Sequence, residues 1–358
     1  MKLNFLIIFF LVLTHFITNA QGDEQPFALS AYLETYYIYD VGNPSNHRRP
    51  DFIFSHDRHN EVNINLGMLK ASYTKERVRA NLALMAGTYA NANLAHEPGV
   101  LRNILEANVG VRVLADKYLW VTAGVFDSHL GFEGAIGADC RTMTRSLAAE
   151  GAPYYLSGAK ITYRTEDEKW EASGMVLNGW QRIQRLAGNQ TPAFGHQLLW
   201  QPNNKITLNS SSFIGSDTPD TVRQMRYFHS FYAEYRFSDA FDVIGEFDIG
   251  AEQEQKSSSR YDRWHSTTLI ARYALHPNWS VAGRLEYYVD GSEVIVETDT
   301  PNGFETFGYS INVDYQFTDE VLWRIEGRAF HSKDAVFSLD NTPASKNFFV
   351  GTSLSVKI

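Results

Sequence analysis

From residue 27 onward the chain repeats one pattern: about ten residues in which apolar and polar side chains alternate, followed by a turn. The last segment shows it most cleanly. Phe348, Val350, Thr352, Leu354, Val356 and Ile358 fall on one face, and Phe349, Gly351, Ser353, Ser355 and Lys357 on the other. A period of two marks a strand whose two faces meet different surroundings. The pattern predicts sixteen strands, near 27–40, 60–74, 77–88, 103–115, 118–126, 154–163, 169–178, 194–201, 204–215, 226–237, 240–250, 263–273, 278–288, 304–317, 321–331 and 346–358. About ten tilted residues are what a strand needs to cross a bilayer.

The connections between these segments alternate between short and long. Tight polar turns lie at 75–76, 115–117, 165–168, 202–204, 238–240, 276–277 and 318–320. Between them run long stretches, roughly 41–59, 89–102, 127–153, 179–193, 216–225, 251–262, 289–303 and 332–345, rich in Asp, Asn, Gly, Ser and Pro. Short periplasmic turns and long outer loops are the layout of an outer-membrane barrel. Aromatic residues gather beside the short turns: Tyr73, Tyr118, Tyr163, Trp170, Trp200, Tyr235, Phe237, Tyr273, Trp279, Tyr315 and Trp323. Amphipathic rings favour the headgroup level, so these residues predict a periplasmic girdle. The fold class expected is therefore all-β, a transmembrane antiparallel β-barrel of about sixteen strands.

Residues 1–20 read differently. A short basic start, an apolar run over 5–16 and Thr18-Asn19-Ala20 before Gln21 predict an export signal removed on secretion, leaving 21–358 as one barrel domain. Hydrophobic residues make up 44% of the chain and aromatic residues 14%, yet mean hydropathy is −0.29. No run after the export signal approaches the roughly 20 apolar residues of a spanning helix, which excludes a helical membrane protein. A net charge of −9 argues against nucleic acid as a partner. The single Cys140 excludes an internal disulfide and is expected to be a packed thiol.

With the apolar phase on lipid, the other phase lines the lumen, and it is charged. Arg112, Lys160, Glu234, Arg236, Glu246, Arg284, Arg324, Glu326 and Arg328 are the candidate wall residues, with Glu34, Glu106, Glu171, Asp242, Asp248, Arg272, Glu286 and Asp314 on the same phase. Both signs on neighbouring strands describe a solvated interior, and sixteen strands are too many for side chains to fill it. The longest connection, 127–153, follows the fifth strand, and a loop of that length in a compact barrel is functional or disordered. Leu130, Phe132, Met143 and Leu147 give it apolar residues to pack, and the nearest surface is the inner wall. It is expected to fold inward as a constriction, the alternative being a position outside. Its charged residues Asp127, His129, Glu133, Asp139, Arg141, Arg145 and Glu150 are the constriction candidates, with Arg141 and Arg145 presented to solute. Residues 139–150 read as a short helix capped by Asp139 or Thr142.

Other constellations carry less. His56, Asp57 and His59, with His47 and His96 nearby, lack a recognised metal spacing and read as a solvated loop. Asp127, Ser128 and His129 hold hydrolase residue types, but adjacency is not a triad. No metal site and no cofactor are expected.

Five stretches, in order, resemble the β-barrel porins of the outer-membrane-porin-L-like family common in Bacteroidetes: 52–73 (FIFSHDRHNEVNINLGMLKASY), 106–113 (EANVGVRV), 120–133 (WVTAGVFDSHLGFE), 139–155 (DCRTMTRSLAAEGAPYY) and 177–183 (LNGWQRI). The resemblance covers most of the chain and is strongest over 52–185. It implies an outer-membrane pore without an assigned solute and brings no established site residues. Terminal Ile358 departs from the commoner terminal aromatic. The function expected is passive diffusion of small hydrophilic solutes or ions through a water-filled channel in the Gram-negative outer membrane. Its partners would be outer-membrane lipid and lipopolysaccharide, and analogy with general porins of this size adds a trimer. Two other classes compete: a lipase-type barrel enzyme, which would need a Ser/His pair at the rim, and a secreted β-sandwich that binds glycans.

Overall fold

A computed structural model describes residues 26–358, so the export signal expected over 1–20 lies outside the described residues. Sixteen strands form one closed antiparallel barrel. In chain order they are β1 (Phe27–Asp40), β2 (Val62–Lys75), β3 (Val78–Ala86), β4 (Ile104–Arg112), β5 (Tyr118–Asp127), β6 (Tyr155–Arg164), β7 (Trp170–Leu177), β8 (Ala193–Asn203), β9 (Ile206–Gly215), β10 (Arg226–Arg236), β11 (Phe241–Gln253), β12 (Tyr261–His276), β13 (Trp279–Asp290), β14 (Phe304–Gln316), β15 (Val321–Ser332) and β18 (Lys346–Lys357). Each pairs with its neighbours in sequence, and β1 closes the ring on β18, from Tyr32 opposite Lys357 to Asp40 opposite Phe349. Closure leaves no sheet edge, the condition for a sheet to sit in lipid. Two small strands, β16 (Phe337–Leu339) and β17 (Thr342–Ala344), make a hairpin within the last long loop.

The alternation sorts side chains as expected. On β18, Phe348, Val350 and Leu354 are exposed on the outer wall, while Phe349, Ser353 and Ser355 are buried inside. On β13, Leu285 faces out and Ala282 faces in, where it packs with Ile244 and Ile270 beneath Phe132. At the short-turn end the expected girdle includes stacked Trp170 and Trp200, ring centroids 5.4 Å apart, and the Trp279–Tyr315 pair at 4.6 Å.

The strand predicted over 77–88 stops at Ala86. Gly87 adopts φ 134, where an added Cβ would stand 2.3 Å from the Asn65 carbonyl oxygen, and the chain turns into helix α1 (Thr88–Asn93). In the longest loop the helix is also shorter than expected: α2 (Leu147–Glu150) is capped by Ser146, whose Oγ accepts from Ala149 N at 3.2 Å, not by Asp139 or Thr142.

The largest apolar core lies inside the barrel, at the end that carries the long loops. Lumen-facing Ile38, Phe126, Leu156, Leu177, Phe213, Phe228, Trp264, Tyr288, Phe304, Phe330 and Phe349 each stand within three residues of their strand's loop-bearing end. Ile53, Leu130, Met143, Leu147 and Phe337 from the loops fill the space between them. The interior is thus layered, apolar near the outer face and charged toward the periplasmic turns.

Candidate functional site

The 127–153 loop crosses the lumen and is bonded to wall residues on many strands. Arg284 on β13 donates to Thr142 Oγ1 at 2.9 Å and to Thr144 O at 2.7 Å, and Arg324 on β15 donates to Gly137 O and Cys140 O, both at 2.8 Å. Glu326 accepts from Thr144 N at 2.7 Å, and Arg328 donates to Arg145 O at 2.8 Å. Glu286 accepts from Leu147 N at 2.7 Å. These wall residues also pair with each other: Arg284 with Glu326 at 2.8 Å, Arg328 with Glu286 at 2.7 Å and Arg324 with Asp314 at 2.8 Å. Opposite charges, carbonyls and backbone amides meet most of the polar atoms of this buried network, and Arg284 Nε and Arg328 Nη2, which make no hydrogen bond, still face the Glu286 carboxylate at 3.5 and 2.7 Å, so the buried ions are compensated.

The seven loop candidates divide sharply. Arg145 is fully buried and is not presented to solute: its guanidinium donates to Gly134 O at 2.7 Å, Met143 O at 3.0 Å and Ala135 O at 3.2 Å, holding the loop's own fold. Glu133 is buried and accepts from Ser146 N at 2.8 Å. Glu150 is buried and accepts from Phe54 N at 3.0 Å and Ser55 N at 3.3 Å, tying this loop to the first one; burial pushes its carboxyl up to about 7. His129 is buried with a ring nitrogen 2.8 Å from Ser212 O, and burial lowers it to about 4. Only Asp127, Asp139 and Arg141 reach water: Asp127 lines a cavity of about 440 Å³ beside β2–β4, Asp139 meets Lys357 at 2.5 Å, and Arg141 reaches the opposite wall.

Arg141 donates from Nε to Asp242 Oδ1 at 2.6 Å and from Nη2 to Glu234. Beneath it, toward the periplasmic turns, opens a cavity of about 360 Å³ whose charged lining includes Arg141, Glu234, Arg236, Asp242, Arg272 and Arg324. Among the remaining wall candidates, Arg112 donates to Lys117 O at 2.9 Å, Lys160 stands over the Phe126 ring at 4.5 Å, and Glu246 is buried against Ser230.

The first loop is only in part the solvated histidine loop expected: His47 is exposed, while His56, Asp57 and His59 are buried. It too turns inward: His56 is fully buried with Nε2 3.2 Å from Glu34 Oε1, and buried His59 accepts from Asp40 N at 3.0 Å. Cys140 is buried, and burial pushes its thiol up. Ser128 and His129 do not pair: Ser128 Oγ accepts from Leu130 N, and the imidazole meets Ser212 O.

The sequence model of the family described as "Putative beta-barrel porin-2, OmpL-like" matches residues 26–358. The chain belongs to this family. No curated protein sequence matches it. Solved structures of similar fold include an anion-selective porin from Comamonas acidovorans (TM-score 0.62, 9% identity, covering 94% of this chain and 100% of that one). The outer membrane channel DcaP of Acinetobacter baumannii follows (TM-score 0.60, 10% identity, 93% and 97%), as does OmpT of Vibrio cholerae in a trimer form (0.58, 11%, 94% and 100%). At these identities the likeness is one of fold. The protein is a porin of the outer membrane, a multi-pass β-barrel channel.

Two features of this porin escaped the sequence reading. The apolar layer near the outer face was visible as aromatic residues on the otherwise polar phase close to the loop-bearing ends of most strands, although lumen-facing Trp120 and Tyr32 lie toward the short turns. The partnership of Arg141 with Glu234 and Asp242 left no local signal, because 93 and 101 residues separate the partners.

Proposed function

We propose that this porin conducts small hydrophilic solutes or ions by passive diffusion, with the 127–153 loop as the constriction of its lumen. The observation that carries the reading is the anchoring of that loop across the barrel by Arg284, Arg324, Glu326 and Arg328, which holds it in the path of any solute. A vestibule of about 360 Å³ with a charged lining on the periplasmic side supports the same reading. Residues 1–20 act in this account as an export signal, lipopolysaccharide surrounds the outer leaflet side, and the trimer form of OmpT suggests a homo-oligomer for this chain as well. The channel reading is preferred to a lipase-type barrel because Ser128 and His129 turn to different partners. Planar-bilayer recording of the refolded barrel tests it: discrete conductance steps are expected, and their absence from correctly folded barrels would overturn it.

A further inference from the structure

Asp242 on β11 stands directly opposite two arginines, Arg236 on β10 and Arg272 on β12. Opposite charges facing each other across strands ordinarily pair. Here Arg141, and neither wall arginine, pairs with the carboxylates. Its Nε meets Asp242 Oδ1 at 2.6 Å and its Nη2 closes on Glu234, so a cation from the loop holds both carboxylates of this stretch of wall. Among the described residues, neither the Arg236 nor the Arg272 side chain has an ion-pair or hydrogen-bond partner. Both line the cavity of about 360 Å³ at the periplasmic end.

The other charges of that cavity are compensated. Arg324 is held by Asp314 at 2.8 Å, and Asp139 by Lys357 at 2.5 Å. Three guanidinium groups therefore share two carboxylates, and the surplus lies on the two arginines that face water. Strands lie about 4.8 Å apart, so the two backbones are about 10 Å from each other, a span two arginine side chains can close around one small ligand. Planar guanidinium groups match carboxylate and phosphate oxygens with paired hydrogen bonds.

We propose that the periplasmic vestibule is a binding site for a small oxyanion, a carboxylate or a phosphate, held between Arg236 and Arg272. Arg141 is a positioning residue: by occupying Glu234 and Asp242 it keeps the two binding arginines free. The proposal deepens the channel reading by giving the lumen a solute-recognition site, and it rests on that reading only for the site's role in transport.

Equilibrium binding needs no conduction, so the two readings fail separately. Inorganic phosphate is titrated calorimetrically into the barrel refolded in detergent at low salt, with circular dichroism confirming the strand content of each variant. Saturable binding is expected in the unaltered protein, weakened at least tenfold by Arg236→Gln or Arg272→Gln and lost in the double variant. Arg79→Gln, which removes a lumen cation on β3, leaves it unchanged. Arg141→Gln weakens it too, because Glu234 and Asp242 then neutralise the wall arginines; the triple variant Arg141→Gln, Glu234→Gln, Asp242→Asn restores it. Absence of saturable binding, or full affinity in the Arg236→Gln, Arg272→Gln double variant, would overturn the site. A triple variant as weak as Arg141→Gln alone would overturn the positioning role and make Arg141 a contact.

Discussion

Glu150 shows how a residue that reads as a pore charge becomes a structural one. Its carboxyl lies between the first loop, whose Phe54 and Ser55 amides it accepts, and the charges of Arg145 and Arg328, with Tyr154 close by. Burial outweighs those bonds and raises the group from 4.5 to about 7. A raised carboxyl pKa means that the folded state holds the proton more tightly than the unfolded chain, so the stability this group gives is full below pH 4.5 and is lost as pH rises through about 7. At about 1.4 kcal/mol per pH unit the whole effect is about 3 kcal/mol. Urea unfolding of the protein and of Glu150→Gln from pH 4 to pH 9 should therefore show the two stabilities diverging by about that amount in favour of the variant as pH rises. His129, lowered to about 4, acts in the opposite sense as pH falls below 6.5, but it is common to both proteins and cancels in the difference. Parallel curves would mean that Glu150 is ionised in the fold as readily as in the unfolded chain. At this scale the sequence told which face a side chain takes, since that follows from its parity in the strand. Which groups it meets depends on distant loops, and Arg145 with its three carbonyl acceptors carried no mark distinguishing it from Arg141.

All sixteen strands were legible, because each is specified by its own period and by the turn after it. Loops are specified by what they pack against, so the inward turn of the first loop, helix α1 and the position of α2 were not. The inside and outside of the wall remain open to direct test. Leu285 is 51% exposed on the lipid face of β13, and Leu285→Arg should cost roughly 2–4 kcal/mol if it lies near the bilayer midplane. Ala282, one of its lumen-facing neighbours, is a poor control: at 1% exposure it packs beneath Phe132, and a long side chain there would displace the loop. Ser72 on β2 lines the open cavity of about 440 Å³ beside Asp127, and Ser72→Arg should leave folding close to that of the unaltered protein. Urea titration of each variant folded into lipid vesicles gives both values. Equal losses at the two sites would invert the assignment of the faces.

For the molecule as a whole, two layers compete to be the narrowest part of the path: the 127–153 loop with Arg141, and the apolar layer of Phe52, Phe304, Phe330 and Phe337 near the outer face. They limit flow by different physics. A charged constriction between low-dielectric walls acts on the sign of a passing ion, while an apolar one acts by excluding water whatever the sign. Arg141→Glu would set a third carboxylate beside Glu234 and Asp242, and at 0.1 M salt, where charges reach about 10 Å, the reversal potential should move toward cation preference. At 1 M the reach falls to about 3 Å and most of the shift should vanish. Deleting residues 138–149 removes the span anchored by Arg284 and Arg324 but no strand pairing, so the barrel should still close and single-channel conductance should rise. Arg145 is unsuited to the charge test, since its replacement would unfold the loop it holds. Conductance unchanged by the deletion, together with a reversal potential unmoved by Arg141→Glu, would assign the narrowest point to the apolar layer and take the constriction away from the loop.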